Sequence, residues 1–382
     1  MSDLREDCGC CNQATRNVAL AANQPPDSNG RGSADRTEPW IVGSVSTPAG
    51  EVPQVSTSLR LPDHLGTCRA RWGMGRMSYS IAPGLYAVGT PTGESPVLVT
   101  ANYKMSFDRL RSQLAGIDAW ILVLDTKGVN VWCAAGKGTF GTDEIVHRVA
   151  ATNLSEVVSH RRLVVPQLGA PGVAAHEVKQ RCGFRVVYGP VRAADVPAFL
   201  EAGMKATPDM RRVRFPILDR LAVAPVELML AGKSMLVIAV CFLFLAGLGS
   251  DGFDWTRVAT VGLGSAALFL ATCIGSIVLA PALLPWLPGR AFAAKGAWLG
   301  LVFLLGMALY VGSHLEAIES WFAVAAWCLM IPAVASFLAM NYTGASTYTS
   351  LSGVRIEVRV AAPIQAICAI LGAVLWLAGR FV

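Results

Sequence analysis

Five long apolar runs follow Lys233, and they constrain the fold of this chain more than any other feature. The runs cover about residues 234–249, 258–281, 296–312, 320–340 and 361–379. Each has about the length that a helix needs to cross ~30 Å of hydrocarbon, although the first must begin a little earlier to do so. The sequence therefore predicts a five-helix transmembrane bundle over residues 234–382.

The charged residues are distributed unevenly along the chain and divide it in two. Only 15% of the residues are charged, whereas an average soluble protein has about 25%. Of the 32 basic and 26 acidic side chains, eleven follow Lys233. The first 233 residues are therefore expected to be water-soluble, and the remainder to lie in a membrane.

The interiors of the five runs contain no ionisable residue. A transporter of protons or ions usually places such a residue inside the membrane, where it marks the transport path. The bundle is therefore interpreted as an anchor or docking platform, and a transport path is the alternative.

Basic residues flank the runs unevenly and predict their orientation. Arg290 and Lys295 follow the second run, Arg355 and Arg359 follow the fourth, and the loops on the other side are mostly acidic. Because cytoplasmic loops are enriched in Lys and Arg, we expect a cytoplasmic (inner) membrane protein with its soluble part in the cytoplasm and its C-terminus outside. The acidic start of the chain has no apolar core and predicts no signal peptide.

A basic segment, residues 211–233, precedes the first run and is interpreted as a juxtamembrane linker. Its arginines are Arg211, Arg212, Arg214 and Arg220. Basic residues beside a membrane span favour contact with anionic lipid headgroups. Binding of a partner protein is the alternative.

Residues 1–55 are rich in Pro, Gly, Ser, Asn and charged residues, and are predicted to form a disordered arm. The arm contains Cys8, Cys10 and Cys11, whose thiolates could hold a soft metal ion. These cysteines have no companion histidine and no second cysteine cluster. An exposed tail without a metal is therefore the simpler interpretation.

Strand-like and helix-like stretches alternate between about residues 60 and 205. The strand-like runs are 95–102, 119–126, 162–169 and 184–190, and the helix-like stretches are 106–116, 141–154, 172–183 and 193–204. Thr142 is predicted to cap the second of these helices. The alternation predicts a Rossmann-like α/β domain with a mainly parallel sheet over residues 56–210.

A single cysteine, Cys133, lies in the segment VNVWCAAGKGTFG, shortly after the second strand-like run. Ligands of open α/β sheets bind at the carboxyl ends of the strands, so Cys133 falls where a ligand is expected. The Walker pattern for phosphate binding is not met, because Val131 stands in place of its first glycine and Gly138 in place of its hydroxyl residue. Zinc is disfavoured because no CxxC pair or suitably spaced histidine accompanies Cys133. A thiol enzyme with a distant histidine stays open.

One further chemistry needs only a single cysteine: an axial thiolate on a metal that a macrocycle already holds. Asn130 can cap a short helix, which places Cys133 in its first turn. The small residues 134–136 would let a flat ring approach closely, and Trp132 offers an apolar face. The alternative is an ordinary buried cysteine in a tight turn.

Longer blocks of sequence carry a resemblance to a known family. NVWCAAGKGTFG (130–141), with the flanking blocks at 71–111 and 184–215, resembles the HgcA family, the membrane corrinoid proteins of microbial mercury methylation. The resemblance covers about residues 70–382 and includes the layout of a corrinoid-binding domain followed by five spans. The soluble domain is also similar to the corrinoid domain of the corrinoid iron–sulfur protein of acetyl-CoA synthesis.

The resemblance implies a function and a set of site residues. Cys133 corresponds to the cysteine that binds cobalt on its lower face, and this chain is expected to hold a cobalamin-type corrinoid but no iron–sulfur cluster. The residues that complete the corresponding cap helix are Asn130, Val131, Trp132, Ala134, Ala135, Gly136 and Lys137. The implied reaction transfers a methyl group from cobalt to Hg(II). The implied partners are an HgcB-type ferredoxin as electron donor and a methyl donor linked to methyl-tetrahydrofolate.

The chemistry of Hg(II) agrees with a thiolate ligand. Hg(II) has no electron pair with which to attack a methyl group, so it must receive the methyl group as a carbanion or radical. A thiolate is a stronger electron donor than imidazole, and the same property tunes the thiolate-ligated haem enzymes. Placed opposite the methyl group, a thiolate favours transfer of the methyl group together with its bonding electrons.

Further corrinoid contacts are predicted at strand ends and in loops of the soluble domain. They are Thr100, Asn102, Tyr103, Lys104, Gly169, Gly172, Tyr188 and Gly189. Each could equally be part of an ordinary loop, because glycines at strand ends are common turn formers.

Two other functions stay open at this stage. The first is a membrane-anchored corrinoid methyl carrier of one-carbon metabolism that does not act on mercury. The second is a membrane docking or transport protein whose soluble domain is regulatory, and it predicts that the purified protein contains no cobalt.

Overall fold

The computed structural model of the chain describes residues 38–313, 320–342 and 351–382. The chain divides into two compact units, of which one is Gly30–Arg214 and the other contains Phe215–Val382. We call the first the sheet domain and the second the helical unit.

A seven-stranded sheet forms the centre of the sheet domain. Its strands are β1 (Ile41–Thr47), β2 (Gly50–Val55), β3 (Gly84–Val88), β4 (Val97–Ala101), β5 (Ala119–Leu124), β6 (Arg162–Val165) and β7 (Arg185–Tyr188). Their order across the sheet is β1-β2-β3-β5-β4-β6-β7. Among these strands only the pairs β1–β2 and β3–β5 are antiparallel, so the sheet is mainly parallel, as predicted.

Helices cover both faces of this sheet. They are α1 (Leu61–Arg71), α2 (Lys104–Arg111), α3 (Val131–Lys137), α4 (Thr142–Ala151), α5 (Leu154–Val157), α6 (Ala175–Cys182) and α7 (Val196–Glu201). Short 3-10 turns lie at Arg76–Ser78, Gln167–Gly172 and Ala193–Asp195.

The connections after β4 and β5 leave the sheet on opposite faces. Phe107 of α2 and Phe199 of α7 pack in one core cluster, whereas Ile145 of α4 and Val178 of α6 pack in the other. All four side chains are fully buried. A crevice that opens where neighbouring parallel strands send their helices to opposite faces is the usual ligand site of such sheets. In this domain, that place is the carboxyl edge of β4 and β5.

The sheet begins earlier in the chain than the sequence predicted. The predicted disordered arm extended to residue 55, but residues 41–55 form the hairpin of β1 and β2 at the edge of the sheet. The prediction was wrong here because edge strands show one face to water and therefore read as polar. The remainder of the predicted arm, residues 1–37 with Cys8, Cys10 and Cys11, lies outside the described residues.

Thr142 does not cap α4, in contrast to the prediction. The residue that precedes the helix is Gly141, with an extended backbone and no side-chain cap. The hydroxyl oxygen of Thr142 instead accepts a hydrogen bond from the backbone N–H of Ala174 at 2.9 Å. A local pattern favours a cap, but the long-range contact decides the role of this hydroxyl.

Four charged side chains form a buried ion cluster between α1 and α2. Lys104 Nζ lies 2.8 Å from Asp63 Oδ1 and 2.7 Å from Asp108 Oδ1. Arg111 contacts the same two carboxylates at 2.9 Å and 2.7 Å, and also donates to the carbonyl oxygen of Ser56 at 2.5 Å. Buried charges are tolerated when they are paired and hydrogen-bonded. The cluster therefore fastens α1 and the end of the β1–β2 hairpin to α2.

The helical unit contains the apolar helices that the sequence predicted. They are α8 (Ile217–Leu221), α9 (Ala224–Leu245), α10 (Trp255–Leu283), α11 (Phe292–Ser313), α12 (Trp321–Met340) and α13 (Leu351–Ala378). Within the described residues, five segments are long and apolar enough to cross a membrane, the first being the continuous stretch Ile217–Leu245. A mixed α/β domain followed by five such helices confirms the predicted fold class.

Two of the predicted boundaries of these helices were wrong. The predicted linker 211–233 is helical from Ile217, and α13 begins ten residues before the predicted 361. The prediction relied on the absence of charge, and Glu227 and Glu357 lie inside the two helices concerned. A long helix tolerates a charged residue near its end, where the side chain can reach polar surroundings.

Arg220 was predicted to contact lipid headgroups or a partner protein, and the structure places it elsewhere. Its side chain is buried, and its guanidinium donates to the carbonyl oxygens of Pro281 and Ala282 at 3.2 Å and 2.8 Å. These carbonyls belong to the last turn of α10, where a cation also suits the helix dipole. Arg220 therefore joins α8 to the end of α10.

Small residues set the spacing between α11 and α12. A Cβ atom at Gly296 would lie 2.5 Å from the carbonyl oxygen of Ala335, and one at Gly300 would lie 2.5 Å from Cα of Pro332. Glycines four residues apart allow helix backbones to approach closely in a membrane. Only glycine fits at these two positions without a shift of one helix.

Candidate functional site

The loop between β5 and α3 lies at the carboxyl edge of the sheet, and Asn102 holds it from the end of β4. Asn102 Oδ1 accepts hydrogen bonds from the backbone N–H groups of Thr126 and Gly128 at 3.1 Å and 3.0 Å. The hydroxyl of Thr126 donates to the carbonyl oxygen of Val129 at 2.6 Å. The loop is therefore fixed directly before it enters α3.

Asn130 caps the start of α3, as the sequence indicated, and Gly138 ends the helix. The side-chain oxygen of Asn130 accepts a hydrogen bond from the backbone N–H of Cys133 at 3.0 Å. Gly138 ends the helix with φ +80°, a left-handed conformation that favours glycine. Cys133 therefore lies in the first turn of a seven-residue capped helix.

The two faces of α3 have different surroundings. Val131, Ala134 and Ala135 are buried and pack in the core against the sheet. Trp132, Cys133, Gly136 and Lys137 are exposed on the other side. The interpretation of Cys133 as a buried structural cysteine is therefore wrong, because its side chain faces open space.

Gly136 marks the space over the exposed side of α3. A Cβ atom at this position would meet no heavy atom within 4 Å. Its neighbour in the helix, Ala135, is buried. The exposed side of α3 thus offers a thiol, an indole and a glycine to any flat group that approaches.

The predicted contact residues Gly169 and Gly172 belong to the 3-10 turn behind α3. A Cβ atom at Gly172 would lie 2.2 Å from the carbonyl oxygen of Phe140 and 3.1 Å from Cα of Ala135. A Cβ atom at Gly169 would lie 2.4 Å from the ring of Phe140, which is fully buried. The structure gives these glycines a packing role, in which they let the turn approach the buried side of α3.

The four predicted contacts at the end of β4 and directly after it are all buried, and three of them already have partners. Thr100 is 4% exposed within β4, and Asn102 holds the loop described above. The ring of Tyr103 packs edge-on against Tyr79 at a centroid distance of 6.2 Å. Lys104 belongs to the ion cluster. The structure does not bring these side chains to the exposed side of α3, so their contact with a ligand stays a prediction.

Tyr188 and Gly189 lie at the carboxyl end of β7. The hydroxyl of Tyr188 donates to the carbonyl oxygen of Val173 at 2.7 Å. A Cβ atom at Gly189 would lie 2.9 Å from a methyl group of Val164. Both residues therefore have structural roles at the same edge of the sheet, and their predicted contact with a ligand is untested.

The sequence analysis missed a polar group of residues on the β5–α3 loop. Asp125 donates its backbone N–H to Glu144 Oε1 at 2.8 Å, and Glu144 pairs with Arg148 at 2.7 Å. Burial alone would raise the pKa of Asp125, but hydrogen bonds from Lys127 outweigh this effect and lower the pKa. The i,i+4 spacing of Glu144 and Arg148 was the available signal.

The sequence analysis also missed the 3-10 turn Arg76–Ser78, which lies against the same loop. A Cβ atom at Gly128 would be 3.0 Å from the carbonyl oxygen of Met77, and Gly128 has φ +70°. The segment GMGRMS, residues 73–78, therefore lies against this loop. The side chains of Met74 and Met77 in this segment are exposed.

The donor atoms of the site suit some metal centres and not others. No group of three or more His, Cys, Asp or Glu side chains that could hold a metal ion occurs within the described residues. Cys133 alone cannot fill the coordination sphere of a bare ion. One exposed thiol is sufficient only for a metal whose other ligands come from elsewhere.

Comparisons with known proteins show that part of this domain is similar to subunits of acetyl-CoA metabolism. Residues 75–200 match the family model CdhD, the CO dehydrogenase/acetyl-CoA synthase delta subunit. The chain is 34% identical over 128 residues to the acetyl-CoA decarbonylase/synthase complex subunit gamma of Methanopyrus kandleri. It is 31% identical over 128 residues to the same subunit of Archaeoglobus fulgidus.

Each of these two matches covers 33% of this chain and 27% of the relative. The match to the family model, residues 75–200, lies within the sheet domain, and the chain spans about a quarter of the length of these relatives. It confirms the coarser of the two resemblances, that to the proteins of acetyl-CoA synthesis. The resemblance to the mercury-methylating family is finer than these comparisons resolve.

Proposed function

We propose that this protein is a membrane-anchored, corrinoid-dependent methyltransferase that passes a methyl group to Hg(II), with Cys133 as the lower axial ligand of cobalt. One observation carries the proposal: the thiol of Cys133 is exposed on a capped helix at the carboxyl edge of the sheet. The similarity of residues 75–200 to an acetyl-CoA synthase subunit supports a methyl-transfer role for this domain.

The residues on the exposed side of α3 fit a corrinoid. Cys133 would hold its cobalt, and one protein thiolate would be sufficient because the macrocycle would supply the other ligands. The open space over Gly136 accepts a flat ring, and Trp132 beside it is exposed. When bound, a corrinoid would supply the methyl group for transfer.

The protein's own contribution is to hold the thiol in a fixed position. Asn130 caps the helix through the backbone N–H of Cys133 itself, and Ala134 and Ala135 fix the other side of the helix in the core. Asn102 fixes the preceding loop. A ligand that is held in place by packing and hydrogen bonds keeps its geometry while its metal changes state.

A thiolate suits the proposed acceptor. Hg(II) has no electron pair, so the methyl group must bring both bonding electrons or one of them. The thiolate of Cys133 is a strong electron donor, and as a ligand of the bound cobalt it would favour transfer of the methyl group together with its bonding electrons. An imidazole in the same place would donate less.

The test uses isotope-enriched Hg(II), supplied anaerobically to cells that express this chain with an HgcB-type ferredoxin. We expect labelled methylmercury from the wild type and none above background from Cys133→Ala. Cys68→Ala is the matched control, because Cys68 is also an exposed thiol of the sheet domain, on α1. Full methylation by Cys133→Ala would disprove the axial-ligand role.

A second candidate function is a membrane-anchored corrinoid methyl carrier that does not act on mercury. The similarity to acetyl-CoA decarbonylase/synthase subunits favours it. Both candidates predict cobalt in the purified protein, measured by elemental analysis and by the corrinoid absorbance. Cobalt without labelled methylmercury in the wild type would select the carrier.

The cellular setting is part of the proposal. We propose that the sheet domain faces the cytoplasm, because basic residues predominate in the loops that would share its side. An odd number of spans then places the C-terminus outside. The proposed partners are the ferredoxin, which returns electrons to cobalt, and a methyl donor linked to methyl-tetrahydrofolate.

A further inference from the structure

A groove of about 680 Å³ opens in the helical unit between the first turns of α11 and the first half of α13, with α12 as its floor. Its walls are mostly small or apolar, and include Ala294, Ala297, Val360 and Ile364. The alanines leave space that larger side chains would fill. A groove with such walls at the surface of a membrane-spanning unit accepts a hydrocarbon chain.

A buried amide on α13, that of Gln365, lines the groove and has an unused acceptor. Gln365 is 7% exposed, and its Nε2 donates to Ser336 Oγ at 2.7 Å. The hydroxyl of Ser336 donates its single proton to the carbonyl oxygen of Ala293 at 2.8 Å. The hydroxyl oxygen can therefore only accept from Gln365, which fixes the orientation of the amide.

This orientation leaves Gln365 Oε1 without a hydrogen bond. No donor among the described residues reaches that atom, although it is buried. A buried carbonyl oxygen without a donor disfavours folding. A ligand in the groove that carries an N–H or O–H group would supply the missing donor.

Two groups of opposite charge line the same groove. Arg290 precedes α11, is exposed, and forms no ion pair within the described part of the chain. Glu357 accepts a hydrogen bond from the backbone N–H of Ala293 at 2.5 Å through one carboxylate oxygen. The groove therefore presents a cation at Arg290 and a carboxylate at Glu357, and Gln365 in its wall holds a buried acceptor that no described residue uses.

We propose that this groove binds an aminophospholipid of the phosphatidylethanolamine type. Its phosphate pairs with Arg290, and one acyl chain lies along the apolar walls. Its ammonium pairs with Glu357 and donates to Gln365 Oε1, which a turn of the amide brings from its buried position to the groove. The zwitterionic headgroup matches the paired charges of the groove. Phosphatidylcholine has the same charges but no N–H donor, so it cannot satisfy Gln365.

The test is native mass spectrometry of the full-length protein in detergent, with phosphatidylethanolamine or phosphatidylcholine of identical acyl chains. We expect the wild type to retain phosphatidylethanolamine about tenfold more strongly, the effect of one charge-assisted hydrogen bond. Gln365→Leu should bind both lipids equally, and Arg290→Gln should weaken both. Arg359→Gln is the control, because Arg359 lies on α13 but does not line the groove.

Three outcomes would overturn the proposal. The first is equal retention of the two lipids by the wild type, and the second is an unchanged preference in Gln365→Leu. The third is displacement of the lipid by phosphoethanolamine, which has no acyl chain, because the apolar walls would then play no part. If Gln365→Leu does not fold, Arg290→Gln still decides, because its exposed side chain contributes little to folding and lipid retention must fall.

Discussion

In the sheet domain four charged side chains lie buried together, whereas in the helical unit the buried polar side chains are mostly neutral and bond to carbonyl oxygens. Thr272 donates to Leu268 O at 2.8 Å, Ser276 to Thr272 O at 2.7 Å, and Tyr342 to Ile277 O at 2.6 Å. The ion cluster, by contrast, contains two complete pairs of opposite charge.

This difference is the one expected if the sheet domain lies in water and the helical unit in a bilayer, as proposed. A soluble domain can bury ions when they are paired and hydrogen-bonded. In hydrocarbon no water is available, so a polar side chain needs a partner nearby, and backbone carbonyls of the same or a neighbouring helix are the nearest acceptors. Among the described residues of the helical unit, Arg220, Glu227 and Gln365 are the exceptions. Arg220 marks a helix junction, and Gln365 a proposed lipid site.

The largest effect is expected from breaking the ion cluster with Arg111→Met. This change leaves Asp63 and Asp108 buried with a single cation, Lys104, and should destabilise the sheet domain by about 3–5 kcal/mol. The measurement is chemical denaturation of the full-length protein in detergent, followed by the fluorescence of its tryptophans.

Arg109→Met is the matched control for this prediction. Arg109 lies on the same helix but is exposed, so the loss of its charge should change the free energy of unfolding by less than about 0.5 kcal/mol. Equal effects of the two changes would show that the cluster contributes nothing beyond ordinary surface charge.

A second prediction compares close packing in the two units with the same substitution. Gly172→Ala in the sheet domain and Gly296→Ala in the helical unit each place a methyl group within 2.6 Å of a backbone carbonyl oxygen. Since neither backbone can move freely, each change should cost about 1–3 kcal/mol. Thermal unfolding of each variant in detergent measures the cost.

Gly136→Ala and Gly306→Ala are the controls, one in each unit. A Cβ atom at either position meets nothing within 4 Å, so alanine should be neutral or should stabilise the helix by up to about 1 kcal/mol. A loss of stability in the controls as large as in Gly172→Ala and Gly296→Ala would refute the packing argument.

The smallest effect concerns pH and again belongs to the ion cluster. Burial alone would raise the pKa of Asp63, but the hydrogen bond and charge of Lys104, the backbone N–H of Arg60 and the charge of Arg111 outweigh this and lower the pKa. A carboxyl with a lowered pKa stabilises the fold fully above its unfolded pKa of about 3.9, and the stabilisation is lost as the pH falls through the folded value.

The contribution of Asp63 to the free energy of unfolding should therefore be constant above about pH 5 and should fall below about pH 4. In Asp63→Asn this part of the pH dependence should be absent, because the amide does not titrate. An identical acid dependence in the wild type and the variant would show that other carboxyl groups cause it.

Much of the fold was predictable from the sequence, and the residues explain why. Buried parallel strands such as β4 and β5 read as continuous apolar runs, and so do the membrane-capable helices. The hairpin of β1 and β2 was missed because half of its residues face water. The cap of α3 by Asn130 was predictable because it involves residues only three positions apart.

The rest of the candidate site was less predictable. Asn102 and Lys104 were chosen as ligand contacts because they follow a strand. The partners of Asn102 lie 24–26 residues away in the sequence, and Asp63, one of the two partners of Lys104, lies 41 residues away. The i,i+4 spacing of Lys104 and Asp108 was the one local sign that Lys104 is paired. The exposure of Cys133, in contrast to its buried neighbours Ala134 and Ala135, also required the packed domain.

The sequence by itself determined the division into a sheet domain and a helical unit, the main strands, and the helix on which Cys133 lies. These features depend on the solvent and on neighbours within a few residues, so that periodicity and composition carry them. Only the tertiary structure decided which polar groups are already paired, that the thiol of Cys133 is exposed, and that Gln365 has an unused acceptor. Those properties depend on contacts between residues far apart in the chain, and no local pattern encodes them.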